Sequence, residues 1–107
     1  MKNDKMYLGH IRDAIEKVEA YVDGYTFEQF LNDNKTYDAV IRELGIIGEA
    51  ANRVSEAFQN EHAEIPWSDI SGMRNRLIHD YLGIKPEIVW NTCLKDLPHV
   101  KSILDDL

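Results

Sequence analysis

Apolar residues recur along most of this chain at three- and four-residue steps, the spacing that gathers them on one face of an α-helix. Tyr7, Ile11, Ala14, Val18 and Tyr21 make the first stripe, and Ile15 and Val22 widen it. The predicted helix stops at Asp23-Gly24, because glycine readily takes the left-handed conformation beyond a last turn. Thr26-Phe27-Glu28-Gln29 has the form of a capping box and predicts a short helix through Leu31. Asn32-Asp33-Asn34-Lys35 then reads as a polar turn. A long helix is expected from about Thr36 to Asn60, with Val40, Leu44, Ile47, Ala51, Val54 and Phe58 as its seam. Gly45 and Gly48 interrupt that helix, and each weakens a helix interior. The simplest physical reason to keep them is a second helix backbone passing close by.

Pro66 restarts the chain, and a third principal helix is expected from there to about Leu82, with Gly83 as its stop. Pro86 suits the first turn of the last helix, whose stripe is Val89, Cys93, Leu97, Val100 and Leu104. Pro98 lies inside that stripe and predicts a kink or break near Leu94 to Leu97. Asp105-Asp106 sits where the helix dipole disfavours it, so the end is expected to fray. Trp67 and Trp90 are placed to pack at helix ends. No strand-like alternation, repeat or linker interrupts the pattern. The expectation is an all-α fold, a single domain over residues 1–107, built as an up-down bundle of four principal helices plus a short extra helix.

Composition narrows what such a bundle can do. At 107 residues, with 44% hydrophobic and 29% charged residues, the chain has room for one core. No apolar run approaches the length of a membrane span, and the first residues are not followed by the apolar stretch of a secretory signal. Cys93 is the single cysteine, which excludes an internal disulfide and a cysteine-based zinc site within one chain. These features predict a cytoplasmic protein with no membrane partner. Asp96-x-x-His99 resembles half of a carboxylate–histidine metal motif, but a di-iron bundle needs two Glu-x-x-His pairs and two further Glu. No metal and no cofactor are expected. The formal net charge of −7 argues against a long nucleic-acid grip, since phosphate neutralisation supplies most of such affinity. Any contact with RNA must therefore be local, in a small positive pocket.

One segment carries candidate chemistry. Residues of a helix advance by about 100° each, so Ile70, Met73, Leu77, Tyr81 and Ile84 fall in one arc that faces the core. Arg74 stands at the edge of that arc, while Gly72, Asn75, Arg76 and His79 occupy the roughly opposite face. Arg74 and His79 diverge by about 140° on an ideal helix. Their convergence needs either a distorted last turn or a second copy packed across a two-fold axis. The residue types suit phosphodiester chemistry: a guanidinium offers planar paired donors to phosphate oxygens, and an imidazole exchanges a proton near neutrality. Between Ser71 and Lys85 the charged residues are Arg74, Arg76 and Lys85 against Asp80 alone. Taken singly, Arg74 reads as a residue snorkelling at a core edge, His79 as solvent-facing, and Tyr81 as a packing residue with its hydroxyl at the rim. Glu49, among small residues on the long helix, is either exposed or paired with Arg74 or Arg76 across helices.

Ser71-Gly72-Met73-Arg74-Asn75-Arg76-Leu77-Ile78-His79-Asp80-Tyr81-Leu82-Gly83-Ile84 resembles the signature of the HEPN superfamily in its HepT-like branch. The family pattern is Arg, four residues, His, one residue, Tyr, with a polar residue after the Arg; Arg74, Asn75, His79 and Tyr81 match it. Gly45-Ile46-Ile47-Gly48-Glu49-Ala50-Ala51 and Ile65-Pro66-Trp67 are similar to the same branch, so the likeness covers most of the chain. The resemblance implies a metal-independent endoribonuclease, the toxin of a type II toxin–antitoxin system, with a composite site at a homodimer interface. It also implies a partner, a minimal nucleotidyltransferase antitoxin that attaches AMP to Tyr81. On that footing His79 is expected to act as general base on a ribose 2′-hydroxyl or general acid on the leaving 5′-oxygen. Arg74 is expected to stabilise charge on the phosphorane, and Asn75 to position. Arg76 and Glu49 are secondary candidates. The products expected are a 2′,3′-cyclic phosphate and a 5′-hydroxyl. The alternative is a non-catalytic HEPN-type module that binds a nucleotide or a nucleotidyltransferase. A purely structural helical dimer leaves the polar face of the third helix unexplained.

Overall fold

The apolar stripes pack where their periodicity directs them. The structure, a computed structural model, describes residues 3–79 and 83–107, the side chain of Ile78 excepted. In chain order the helices are α1 (Asp4–Val22), α2 (Phe27–Leu31), α3 (Asn34–Arg53), α4 (Glu56–Glu61), α5 (Trp67–His79) and α6 (Pro86–Asn91). A π turn (Thr92–Asp96) then leads into α7 (Leu97–Asp105). Among the described residues there is no strand. The expected all-α bundle is present, with α1, α3, α5 and the α6–α7 run as its principal members.

α3 is the central helix, packed along α1 on one flank and α5 on the other, while α7 returns against α1. Ile11, Ile15 and Val18 of α1 meet Val40, Leu44, Ile47 and Ala51 of α3 in the buried core, with Ile70 and Leu77 of α5. Val89, Cys93, Leu97, Val100 and Leu104 are all buried, as their spacing requires. Burial pushes the Cys93 thiol up to about 12, which leaves it an inert core residue. Phe30 of α2 is fully buried and stacks on Tyr37 and Trp90, at ring separations of 5.4 and 5.0 Å. Trp67 opens α5 and donates its indole N–H to the His62 carbonyl at 3.0 Å.

Several boundaries follow local chemistry. Gly24 has φ of 76° after the end of α1, and both bonds of the Thr26–Gln29 capping box form. The polar turn is shorter than expected: α3 begins at Asn34, because Asp33 caps it by accepting from the Thr36 N–H. The long helix does not run to Asn60. It ends at Arg53, Val54 turns extended, and α4 starts behind Ser55. Ser55 caps α4 by accepting from the Phe58 N–H, and donates its own N–H and hydroxyl to Asp4 at 2.8 and 2.6 Å. Gln59 donates to the carbonyls of Val54 and of Ala51, the latter also accepting from the Val54 N–H as α3 stops. Among the described residues the principal helices are thus joined by two short ones, α2 and α4, rather than one.

The proline expectation holds in a particular form. Pro98 has no N–H to return to Leu94, and its ring crowds that carbonyl. The chain absorbs this in the π turn, where the Leu97 N–H reaches five residues back to Thr92. At the end of α7 Asp106 has left the helix, whereas Asp105 stays helical and pairs with Arg12 at 3.1 Å, while Arg12 also donates to the Leu104 carbonyl at 2.8 Å. A cation supplied from α1 thus offsets the unfavourable dipole.

Candidate active site

α5 reaches α3 at a point where the two backbones nearly touch. A Cβ built on Gly48 would stand 2.6 Å from the Arg74 Cβ, 3.1 Å from the Ile70 carbonyl oxygen and 3.3 Å from the Arg74 N. The close passage expected for the α3 glycines is therefore real at Gly48. At Gly45 the expectation fails, since a Cβ there meets nothing within 4 Å.

The close approach sets Arg74 over the outer stripe of α3. Its Nε lies 2.6 Å from Glu49 Oε2, and the other carboxylate oxygen, Oε1, accepts from Arg53 Nε at 2.9 Å. Glu49 thus bridges two guanidiniums, one from its own helix at i+4 and one from α5. All three side chains are partly exposed, so these ion pairs contribute little to stability. Their effect is geometric: each carboxylate oxygen fixes one guanidinium. The Arg53 guanidinium is held above its ordinary value, first by its bond to Glu49 and then by Tyr7.

Arg74, Glu49 and Arg53 line an open groove of about 630 Å³ over α3, walled by α1 on one side and α5 on the other. Asn75, Arg76 and His79 are exposed along α5. Neither Asn75 nor His79 is among the residues that line the groove with Arg74. Arg76 instead borders a second cavity of about 380 Å³ toward α6, with Met73, Leu77, Lys85 and Val89. The structure therefore places Arg74 with Glu49, and sets Asn75 and His79 on a different exposed face of the same helix. Tyr81, with Asp80 and Leu82, lies outside the described residues, as does the expected end of the helix near Leu82. Among the described residues no three His, Cys, Asp or Glu groups converge as a metal site would. No helix among them is long and apolar enough to cross a membrane.

The sequence left Glu49 open between an exposed carboxylate and one paired with Arg74 or Arg76, and the structure pairs it with Arg74. Sequence reading missed Arg53, although the i, i+4 spacing from Glu49 was a usable signal. It also missed Tyr7, His10 and Arg42 in the groove, because Tyr7 fits the core stripe of α1 and nothing local announces that α1 walls the outer face of α3.

Comparison with known proteins adds an independent line. The family described as ribonuclease HepT-like matches residues 11–107. "Probable ribonuclease HepT" of Thermococcus cleftensis is 42% identical over 106 residues, covering 99% of this chain and 96% of that one. "Putative RNase TTE0752" of Caldanaerobacter subterraneus is 37% identical over 107 residues, covering 100% of this chain and 96% of that one. In Methanocaldococcus jannaschii, "Putative RNase MJ0127" is 34% identical over 110 residues, covering 99% and 91%. No solved structure matches the chain.

Proposed function

The chain belongs to the ribonuclease HepT-like family, and from that premise we propose that it is a metal-independent endoribonuclease whose site is assembled from two copies. Its cellular role in this reading is the toxin of a type II toxin–antitoxin pair. The observation that carries the two-copy site is the division along α5. Arg74 is fixed in the α3 groove by Glu49 at 2.6 Å, while Asn75 and His79 stand exposed and outside that groove. One chain holds the anion binder and the proton-transfer group on different faces. A two-fold axis lets each face of one copy meet the other face of its partner.

The chemistry is a transesterification. The ribose 2′-oxygen attacks phosphorus, its proton passes to a neutral His79 imidazole, and the bond from phosphorus to the 5′-oxygen breaks. A protonated imidazole, the second copy's or the same one recharged, gives its proton to the departing 5′-oxygen. Arg74 donates to the phosphorane oxygens, where charge accumulates, and Asn75 orients the ring or the phosphate. The products are a 2′,3′-cyclic phosphate and a 5′-hydroxyl. Tyr81, two residues beyond His79 in sequence, is the proposed acceptor of AMP from a minimal nucleotidyltransferase partner: its oxygen attacks the α-phosphorus of ATP and pyrophosphate leaves. The added phosphate competes with RNA for nearby guanidiniums and repels the substrate.

Mixing two inactive variants tests the assembly. Arg74→Ala and His79→Ala proteins should each fail to cleave RNA in the presence of EDTA. After mixing and subunit exchange, part of the activity should return, because one of the two sites in a mixed dimer keeps both groups. A mixture as inactive as its parts would overturn the shared site, and wild-type cleavage abolished by EDTA would overturn metal independence. The competing reading, a non-catalytic nucleotide or nucleotidyltransferase binder, draws on the net charge of −7. It moves ahead if purified wild-type protein, shown by intact mass to carry no AMP, leaves RNA whole.

A further inference from the structure

The groove over α3 is more than a seat for Arg74. Tyr7 and His10 of α1 line it with their rings edge to face, 6.0 Å apart at 82°. Arg53 and Arg74 meet in it through Glu49. Farther along the same stripe is Arg42, largely exposed and held at 2.9 Å by the buried carboxylate of Glu43. Among the described residues the groove is lined by three guanidiniums and one carboxylate, that of Glu49, in a chain whose net charge is −7. The floor is open at Gly45, where a side chain would meet no neighbouring atom within 4 Å. The volume of about 630 Å³ lies within the range of small-ligand sites.

We infer that this groove is a nucleotide subsite of the RNA-cleaving site proposed above, on which the inference rests. It takes one nucleotide of a single strand next to the scissile phosphate, with the base against the Tyr7–His10 pair and the phosphate on Arg53 and Arg74. The chemistry of the lining selects this occupant. Guanidiniums bind phosphate through paired donors, and aromatic rings offer a base a stacking surface regardless of its identity. An acidic protein repels a polyanion everywhere except where cations are gathered, and the groove gathers them beside the motif helix. Gly45 weakens α3 without admitting a neighbouring helix of its own chain, which is accounted for if the space above it is kept for a ligand. Glu49 holds Arg53 and Arg74 in place so that a phosphate meets two guanidiniums already oriented.

Filling the floor tests this without touching Arg74 or His79. Gly45→Leu in the full-length chain should raise KM for a short fluorogenic single-stranded RNA by about ten-fold or more, within the range that loss of base stacking alone produces. Tyr7→Ala should raise KM comparably, and Tyr7→Phe, which keeps the ring, should recover most of it. Sedimentation and thermal melts on the same samples report assembly and folding. Unchanged KM in both Gly45→Leu and Tyr7→Ala overturns the subsite. So does a rise in KM for Gly45→Leu that disappears once higher protein concentration restores the dimer, since the space over Gly45 would then belong to the partner copy rather than to RNA. Wild-type protein that leaves RNA intact sinks the ribonuclease reading instead. In that event fluorescence anisotropy with labelled single-stranded RNA still decides the groove, by whether Gly45→Leu weakens binding.

Discussion

At the level of single residues, the two interior glycines of α3 do opposite work. A methyl group at Gly48 would collide with the Cβ of Arg74 at 2.6 Å and crowd the α5 backbone, neither of which can swing aside like the end of a long side chain. At Gly45 the same methyl group meets open space. Gly45→Ala should therefore stabilise the fold by about 0.5–1 kcal/mol, the usual gain from replacing an interior helix glycine. Gly48→Ala should lose about 1–3 kcal/mol to overpacking, less the same propensity gain, and should disturb Arg74 as it forces α5 outward. Urea denaturation of both variants checks the pair, and equal effects would mean that the α3–α5 spacing is not as tight as described. The sequence marked both glycines as helix-weakening but could not tell them apart, since both sit in the same small-residue run. Only the crossing of α5 distinguishes them. Arg74 and His79 stood out as candidates through the family resemblance rather than through residue type or spacing alone, and the position of Glu49 among small residues left it open between an exposed and a paired carboxylate. Tyr7 and His10 were not, because a tyrosine at a core-stripe position gives no sign that one edge of its ring lines a groove.

The elements owe their boundaries to a few side-chain oxygens. Asp33 caps α3 while accepting from Tyr25 OH at 2.6 Å, from the Thr36 N–H at 3.1 Å and from the Thr36 hydroxyl at 2.8 Å. Those bonds, the Tyr25 hydroxyl foremost, lower its carboxyl from an ordinary 3.8 to about 2. A carboxylate whose folded value is depressed stabilises the protein fully above its unfolded value and loses that contribution as pH falls through the folded one. Asp33→Asn should therefore be less stable than wild type at pH 7, and the gap should close between about pH 4 and pH 2. Urea midpoints at several pH values measure it, and a gap that stays constant down to pH 2 would show that the charge of Asp33 plays no part. The capping box at Thr26 was readable because both of its partners lie within one turn. The break at Val54-Ser55 was not: Val54 and Phe58 continue the apolar seam of α3, and periodicity alone prefers one helix. The break is decided by Asp4, far away in sequence, which takes both donors of Ser55, and by Gln59, which donates to the carbonyls of Ala51 and Val54 at the end of α3.

For the molecule as a whole, charge sets a limit on how RNA can be held. The thinnest dimension is 19 Å, about two helix diameters, so much of the surface of this acidic chain lies near any bound strand. Counterion release makes single-strand binding fall with salt at a slope of about 0.7 for each phosphate neutralised. If the strand is held mainly by one phosphate on Arg53 and Arg74 and a second on Arg42, the logarithm of kcat/KM against the logarithm of salt concentration should fall with a slope of about −1.4. Screening also weakens repulsion from the remaining carboxylates, so the observed slope should be flatter still at the lowest salt. A surface gripping six or more phosphates would instead give about −4 or steeper. Initial rates on one short RNA across a salt series separate these cases. A steep slope would mean that two copies join their basic residues into one long track, and the local groove would then be only part of the grip. A shallow one would leave recognition to the few nucleotides around the cut, where base stacking and the fixed guanidiniums can act despite a net charge of the wrong sign.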